Sequence, residues 1–583
     1  MILKALADYY ERLIDDPKSD IAPLGFEKKA IPFLVVLSRD GNFVNFRDTR
    51  TGDGKRREAR EFLVPQGEKK AASIKANVLW DAPQYVLGVP KTHSESDKKR
   101  AAQAFGAFKA RINDVFPEKF SDVGIRAVRA FLDAGDFSAV FAHELWNEIA
   151  DTKANLSFIL EEDTQLISQR EAVHQQIEQN SENAEAGTQT CSVSGEFGIP
   201  ATLHQAIKGV WGAQSTGANI VSFNLDAFCS FGKKQGLNAP VSEKMVFAYT
   251  TALNHLLHKS SHQRMQIGDA STVFWAKNPC DFESGFAFYL NPKKGEEAVS
   301  YEKIKGLLSA VKSGIPPAEG ELPFYVLGLS PNASRIAIRF WYSGNVKEIK
   351  ERVAQHFNDI EIVQAPHDPE FLSIFRLLVS TATEHKSDNI PPNLGGEVAR
   401  AVLTGTPYPR TLLANAIRRC KAEQQIGFAR ASIIKGCLVR AHRLNNTQQK
   451  EVSVALDRTY DNIGYVLGRL FAVLERIQEQ AQGGGLNKTI RDTYFGGAAS
   501  SPQVIFKRIQ DLSMHHLAKI KNSGKSTVWL DKEKGEIIDL MPREGPPATL
   551  ALEDQGRFAV GYYHQRQDFF KKKETTETKG DEE

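Results

Sequence analysis

Between positions 447 and 482 apolar side chains recur at every third or fourth residue: Val452, Ala455, Leu456, Ile463, Leu467, Leu470, Phe471, Leu474 and Ile477. The run then stops at Gly483-Gly484-Gly485. This spacing predicts a long helix with an apolar face too wide for water, ended by glycine. Such a helix must be covered by others. Segments 371–384, 412–444 and 501–521 carry helical periodicity as well, and strand signals largely vanish beyond Pro366 and Pro369. An all-α helical bundle is therefore expected over 367–570. The charge run 571–583 is expected to be a disordered tail.

The chain before residue 366 has a different texture. An amphipathic helix opens it, with Leu3, Leu6, Ala7, Tyr10, Leu13 and Ile14 on one face. Segments 31–37 and 43–46, joined by Asp40-Gly41, read as a β-hairpin. A strand is expected at 62–65 and helices over 94–149, the first opened by the Ser94/Asp97 capping pair. A helix follows at 242–260 and a strand at 271–275. A second hairpin, 324–330 with 335–342, leads into a helix at 346–357 and a strand at 361–363. That ββαβ order suits part of a ferredoxin-like unit. The expected class is an α+β N-terminal region, 1–366, with several mixed β-sheets and helices, followed by the bundle.

Composition excludes some classes. The net charge of +3 over 583 residues is uninformative, but it is segregated: eight Lys/Arg against one Glu in 411–450, nine against five Asp/Glu in 47–75, and two against eight in 151–190. The five cysteines, 191, 229, 280, 420 and 437, form no C-x-x-C pair, so neither a disulfide framework nor a cysteine zinc site is expected. The first helix lacks a signal-peptide core, and no apolar run approaches the roughly 18 residues of a membrane span. A cytoplasmic protein is the expectation.

Catalytic constellations are weak. His255, His258 and His262 would share one face of a helix, but no Glu stands between them as in zinc proteases. His367-Asp368 is a lone pair among prolines. A metal-dependent nuclease built on either is the rival reading, and neither a cofactor nor a metal is expected. Binding chemistry is better represented. In 66–77, Lys69, Lys70 and Lys75 suit phosphates, while Gln66, Ser73 and Asn77 suit base edges. The polar, glycine-rich stretch 212–242 offers Gln214, Asn224, Lys233, Lys234 and Asn238, either to satisfy its own backbone or to touch nucleic acid. Ile220, Val221 and Phe223 in it read as a short strand. On the later helices, Arg418, Arg419, Lys421, Arg430, Lys435, Arg440 and Arg443 would track a displaced strand or a duplex backbone.

Five stretches in order carry a resemblance: MILKALADYYERL, LVPQGEKKAASIKANVLWDAPQYVLG, GAQSTGANIVSFNLDAFCSFGKKQGLNAPVS, GDASTVFWA and YVLGLSPNASRIAIRFW. Together the chain resembles the large subunit of the type I-C CRISPR Cascade complex, departing from the pattern at the loop that begins with Cys191. The resemblance implies a non-catalytic subunit that recognises the protospacer-adjacent motif in duplex DNA, promotes R-loop formation and supports the displaced strand. The implied partners are the guide RNA complex with its backbone and 5′-handle subunits, target double-stranded DNA, the helicase-nuclease, and a small subunit made from the same gene. No methionine lies between Met265 and Met514. A compact internal product would therefore start between about 371 and 411 at a non-Met codon, with Val379, Val398, Val402 and Leu403 as candidates.

Overall fold

A computed structural model describes residues 1–52, 57–68, 74–183, 189–315, 317–445, 450–483 and 488–570. The chain forms two compact units, one of Met1–Ile207 with Val221–His255, the other of Lys208–Ile220 with the chain from Leu256 onward. The tail 571–583 lies outside the described residues.

The first unit is built on a four-stranded mixed sheet, in the order Phe43–Asp48, Phe33–Leu37, Leu156–Leu160, Trp80–Asp81. Phe33–Leu37 pairs antiparallel with Phe43–Asp48, as its hairpin pattern requires, and parallel with Leu156–Leu160. Both central strands are buried along their whole length, which is why they read as continuous apolar runs. At the hairpin turn Gly41 takes φ +85°, and a Cβ there would sit 2.6 Å from the Ala127 carbonyl of the helix Val123–Ala134. Phe26–Ala30 and Glu61–Pro65 form a separate antiparallel ribbon. The first helix, Ile2–Ile14, lays Tyr10 edge-on against Phe247 of the helix Glu243–Leu257. Ser94 caps the helix Glu95–Val115, its Oγ accepting from the Asp97 N–H at 3.2 Å.

The second unit opens on an antiparallel meander: Arg264–Ile267, Ala270–Ala276, Pro323–Asn332 and Arg335–Asn345, each strand beside its neighbour in sequence. The expected ferredoxin-like ββαβ order is corrected here. Segment 361–363 joins no sheet, and the Val363 N–H instead donates to the Val454 carbonyl at 2.7 Å. One core continues from the sheet, with Phe274, Phe324 and Phe340, through the helices Val346–Ile360 and Leu394–Thr404 to Leu467, Phe471 and Phe558 of the bundle. The boundary expected at 366 therefore falls inside one compact unit.

The bundle's centre is the helix Ile463–Gln482, buried on nearly every face. It runs alongside Leu552–Phe570 at glycine contacts. A Cβ on Gly468 would stand 2.0 Å from the Phe558 carbonyl, and one on Gly561 would stand 2.3 Å from that of Tyr465. The expected helix at 447–482 is regular only from Ile463, where Asn462 Oδ1 accepts the Gly464 and Tyr465 N–H groups at 2.9 and 3.3 Å. That cap sets the start, and 450–462 is irregular. The expected helix 412–444 is two, Arg410–Glu423 and Phe428–Leu444, parted at Gln424 with φ +53°. Residues 220–223 form no strand. Asn219 makes an isolated bridge to Arg335 instead. Among the described residues no helix is long and apolar enough to cross a membrane.

Candidate nucleic-acid interface

The loop 66–77 leaves the ribbon strand Glu61–Pro65 and is clamped at both ends. The Gln66 N–H donates to the Gly25 carbonyl at 2.7 Å, and the Trp80 indole N–H to the Pro65 carbonyl at 2.7 Å. Asn77 closes the clamp: its Oδ1 accepts the Glu68 N–H at 2.9 Å, and its own N–H donates to Asp81 at 3.0 Å. It is 4% exposed. The expectation that Asn77 reads a base edge is thereby corrected, because its amide oxygen is committed to holding the loop ends together. Glu68 holds Lys75 at 3.6 Å and Arg111 at 3.2 Å. Nearby Glu243 has its carboxyl pushed above the ordinary value, by burial first and by the charge of Glu68 second. Lys75 is exposed and Gln66 half-buried. Lys69, Lys70 and Ser73 lie outside the described residues.

The stretch 212–242 is divided between the units. Gln214, exposed, belongs to the second, where the Gly217 N–H closes a turn onto its carbonyl at 2.9 Å. Asn224, Lys233 and Lys234, also exposed, belong to the first. Asn238 is spent on the backbone of its own loop. Its Oδ1 accepts the Ser230 N–H at 2.9 Å, and its Nδ2 donates to the carbonyls of Lys233 and Gln235 at 3.2 and 2.9 Å. It is a loop-building residue, which corrects its assignment to DNA contact.

The basic helices need the largest correction. Arg430, Lys435 and Arg440 are buried. Arg440 Nε donates to Asp359 at 2.7 Å, a second nitrogen donates to the Ala401 carbonyl at 3.0 Å, and the guanidinium lies 4.1 Å from the Tyr408 ring centre. Arg443 donates to the same carboxylate at 3.0 Å. Lys435 caps the Asp359 carbonyl at 3.0 Å, and burial lowers its pKa. Arg430 pairs with Glu423 and donates to the Ser380 carbonyl at 2.8 Å. Arg419 pairs with Glu423 too. Lys421 bonds Ser500 and Gln555, each at 2.6 Å, and burial lowers its pKa as well. A cation taken from water must find acceptors, and here the second unit supplies them, Asp359 of the helix Val346–Ile360 foremost. Of the seven, Arg418 and part of Arg443 face solvent.

One group of exposed cations in the bundle lies along the helix Pro502–Asn522 and just beyond it: Lys507, Arg508, Lys519, Lys521 and Lys525. The period was visible in the sequence, but the denser block at 411–450 outweighed it. A second feature that sequence reasoning missed is a cleft of about 840 Å³ in the second unit, lined by Trp211, Tyr289, Tyr301, Phe371, Phe375 and Arg376. Its lining is scattered along the chain from Trp211 to Pro392, so no local pattern marks it.

The nuclease residues are not brought together as expected. The helix carrying His255 ends at Leu257, so His258 and His262 stand beyond it and the three share no helical face. Asp368 accepts the Ala365 N–H at 2.9 Å, closing a turn around His367. Among the described residues no three His, Cys, Asp or Glu side chains are grouped to hold a metal ion.

No curated protein matches the sequence significantly. The family model described as CRISPR-associated protein (Cas_Csd1) matches residues 6–570, both units and the bundle included, and the chain belongs to that family.

Proposed function

We propose that this protein is the non-catalytic large subunit of a type I-C RNA-guided surveillance complex, which recognises the protospacer-adjacent motif in duplex DNA and promotes R-loop formation. The observation that carries the reading is the family match over nearly the whole chain. In RNA-guided recognition, pairing with the guide reads the sequence and protein reads only the short flanking motif. Strand exchange is close to balanced in energy, so contacts near the motif tip it. The clamped loop 66–77, with Lys75 exposed beside Glu68, supports a motif-facing role for that part of the first unit. The exposed cations of 507–525 support a sequence-tolerant grip on the displaced strand. The guide RNA complex, the helicase-nuclease and a small subunit from the same gene complete the assembly in this reading, in the cytoplasm.

The test is a titration of the assembled complex on duplexes with matched and altered motifs at several salt concentrations. Tighter binding to the matched duplex, lost when the first unit's loop is replaced, is the expected result. Equal affinity for both duplexes at every salt concentration overturns the proposal.

A further inference from the structure

Phe231 is 99% exposed, the highest value of any large apolar side chain among the described residues, and Leu225 and Phe228 on the same loop are also open to water. Its backbone is left-handed, at φ +53°, and is followed by Gly232 at +69° and Gln235 at +45°. A phenylalanine persists there only where its surroundings over-determine it. They do. Asn238 ties Ser230, Lys233 and Gln235 together by three hydrogen bonds. The Gly236 N–H donates to the Thr202 carbonyl at 2.9 Å. A Cβ at Gly236 would meet the Ala201 carbonyl at 2.2 Å, so only glycine lets the loop seat this closely. The result is a built platform that holds the Phe231 ring in water, two and three positions before the exposed Lys233 and Lys234.

An exposed aromatic ring and two exposed cations on one short loop match a nucleotide, with the ring against the π-face of a base and the lysines near its phosphates. We infer that Phe231 stacks on an unpaired nucleobase of single-stranded DNA while Lys233 and Lys234 hold the adjoining phosphates. A hydrophobic pocket on a protein partner would accept the ring but gives the two lysines no role. The inference rests on the DNA-binding reading above and adds to it a residue that meets opened strand rather than duplex.

The test uses the full-length chain, with fluorescence anisotropy on an oligothymidylate of about twenty nucleotides and on an abasic strand of the same length. Phe231→Ala should weaken oligothymidylate binding by about 5- to 150-fold, the range for one base–aromatic stack. It should leave abasic binding and the salt slope unchanged. Phe231→Trp should restore affinity. Lys233→Ala with Lys234→Ala should instead flatten the salt slope by about 0.7 per charge. All variants should melt like the parent, because the side chains are exposed. Failure of the parent chain to bind either strand at about 50 mM salt would overturn the DNA reading and this inference together. Parent binding with Phe231→Ala within twofold of it would overturn the stacking alone. Loss of subunit assembly in Phe231→Ala, with oligothymidylate binding intact, would assign the ring to a protein contact and overturn it as well.

Discussion

Replacing Arg440 by Met separates the two roles that a basic helix can have. Arg440 and Asp359 are each 1% exposed at the side chain and meet at 2.7 Å. Removing one partner of a buried pair leaves the other charge without compensation, a loss of about 3–5 kcal/mol. Asp359 keeps Arg443, so the lower end, about 3 kcal/mol, is expected. At about 2.1 cal/mol/K of unfolding entropy per residue, a unit of this size loses roughly 1.5 °C per kcal/mol, so the melting temperature should fall by about 4–5 °C. Asp359→Asn combined with Arg440→Met should recover part of it, since a neutral pair leaves no orphan charge. The pH dependence has a definite sign. Burial pushes the Asp359 carboxyl up, but its bonds to Arg443 and Arg440 outweigh that and hold it below its ordinary value of 3.8. A depressed carboxyl stabilises the fold fully above 3.8 and loses that stabilisation as pH falls through the folded value. The Arg440→Met variant should show less of this acid-limb loss. Differential scanning calorimetry and DNA titrations at several salt concentrations read both sides. An unchanged melting temperature with a salt slope flattened by about 0.9 would mean that Arg440 meets phosphate, and the structural argument would be refuted.

Asn77→Ala should cost about 1–3 kcal/mol through the unsatisfied Glu68 N–H and weaken binding to matched and altered motifs alike; a selective loss on the matched motif would return Asn77 to base reading. Lys519→Ala with Lys521→Ala should flatten the single-strand salt slope by about 1.4 in total at unchanged melting temperature, measured by anisotropy. Gly468→Ala should destabilise the second unit by about 3 kcal/mol, seen as a lowered denaturant midpoint, because the new methyl meets a carbonyl that cannot move alone. His356, held neutral with its pKa pushed down to about 3 by burial and by Arg440, makes stability fall as pH drops from its ordinary 6.5 toward 3, because only the unfolded chain takes up the proton there. His356→Gln should flatten the melting temperature in that window.

Local chemistry was legible and its long-range use was not. The hairpin over 33–48 announces itself by its apolar runs and Asp40-Gly41, and the helix Glu95–Val115 by its Ser94 cap. The strand Phe26–Ala30 was hidden because Glu27, Lys28 and Lys29 occupy an edge ribbon that tolerates charge. The final segment of the supposed ββαβ unit was misplaced because three extended residues fit an edge strand or an irregular run equally well. Among the candidate contacts, Lys75, Lys233 and Lys234 stand exposed as their loops suggested. The basic block at 411–450 misled because charge counted along the chain does not say where the acceptors are: Asp359 is 81 positions before Arg440. Asn77 misled for the same reason, since an amide that closes a loop and one that reads adenine look alike in one dimension.

The glycine-lined contact between Ile463–Gln482 and Leu552–Phe570 also has a kinetic meaning. The helix that covers this central one is the last described in the chain, and roughly 70 residues separate the two. At about 5–20 residues per second of synthesis, the apolar stripe of the earlier helix waits about 4–14 seconds before its cover exists. During that interval Leu467, Phe471 and Leu474 are available to any other apolar surface, including a second nascent copy. The close packing of the finished unit therefore leaves the unfinished one with an apolar stripe that a holdase chaperone would cover. Expression yield should respond to chaperone supply more sharply than the melting temperature of the purified protein would suggest.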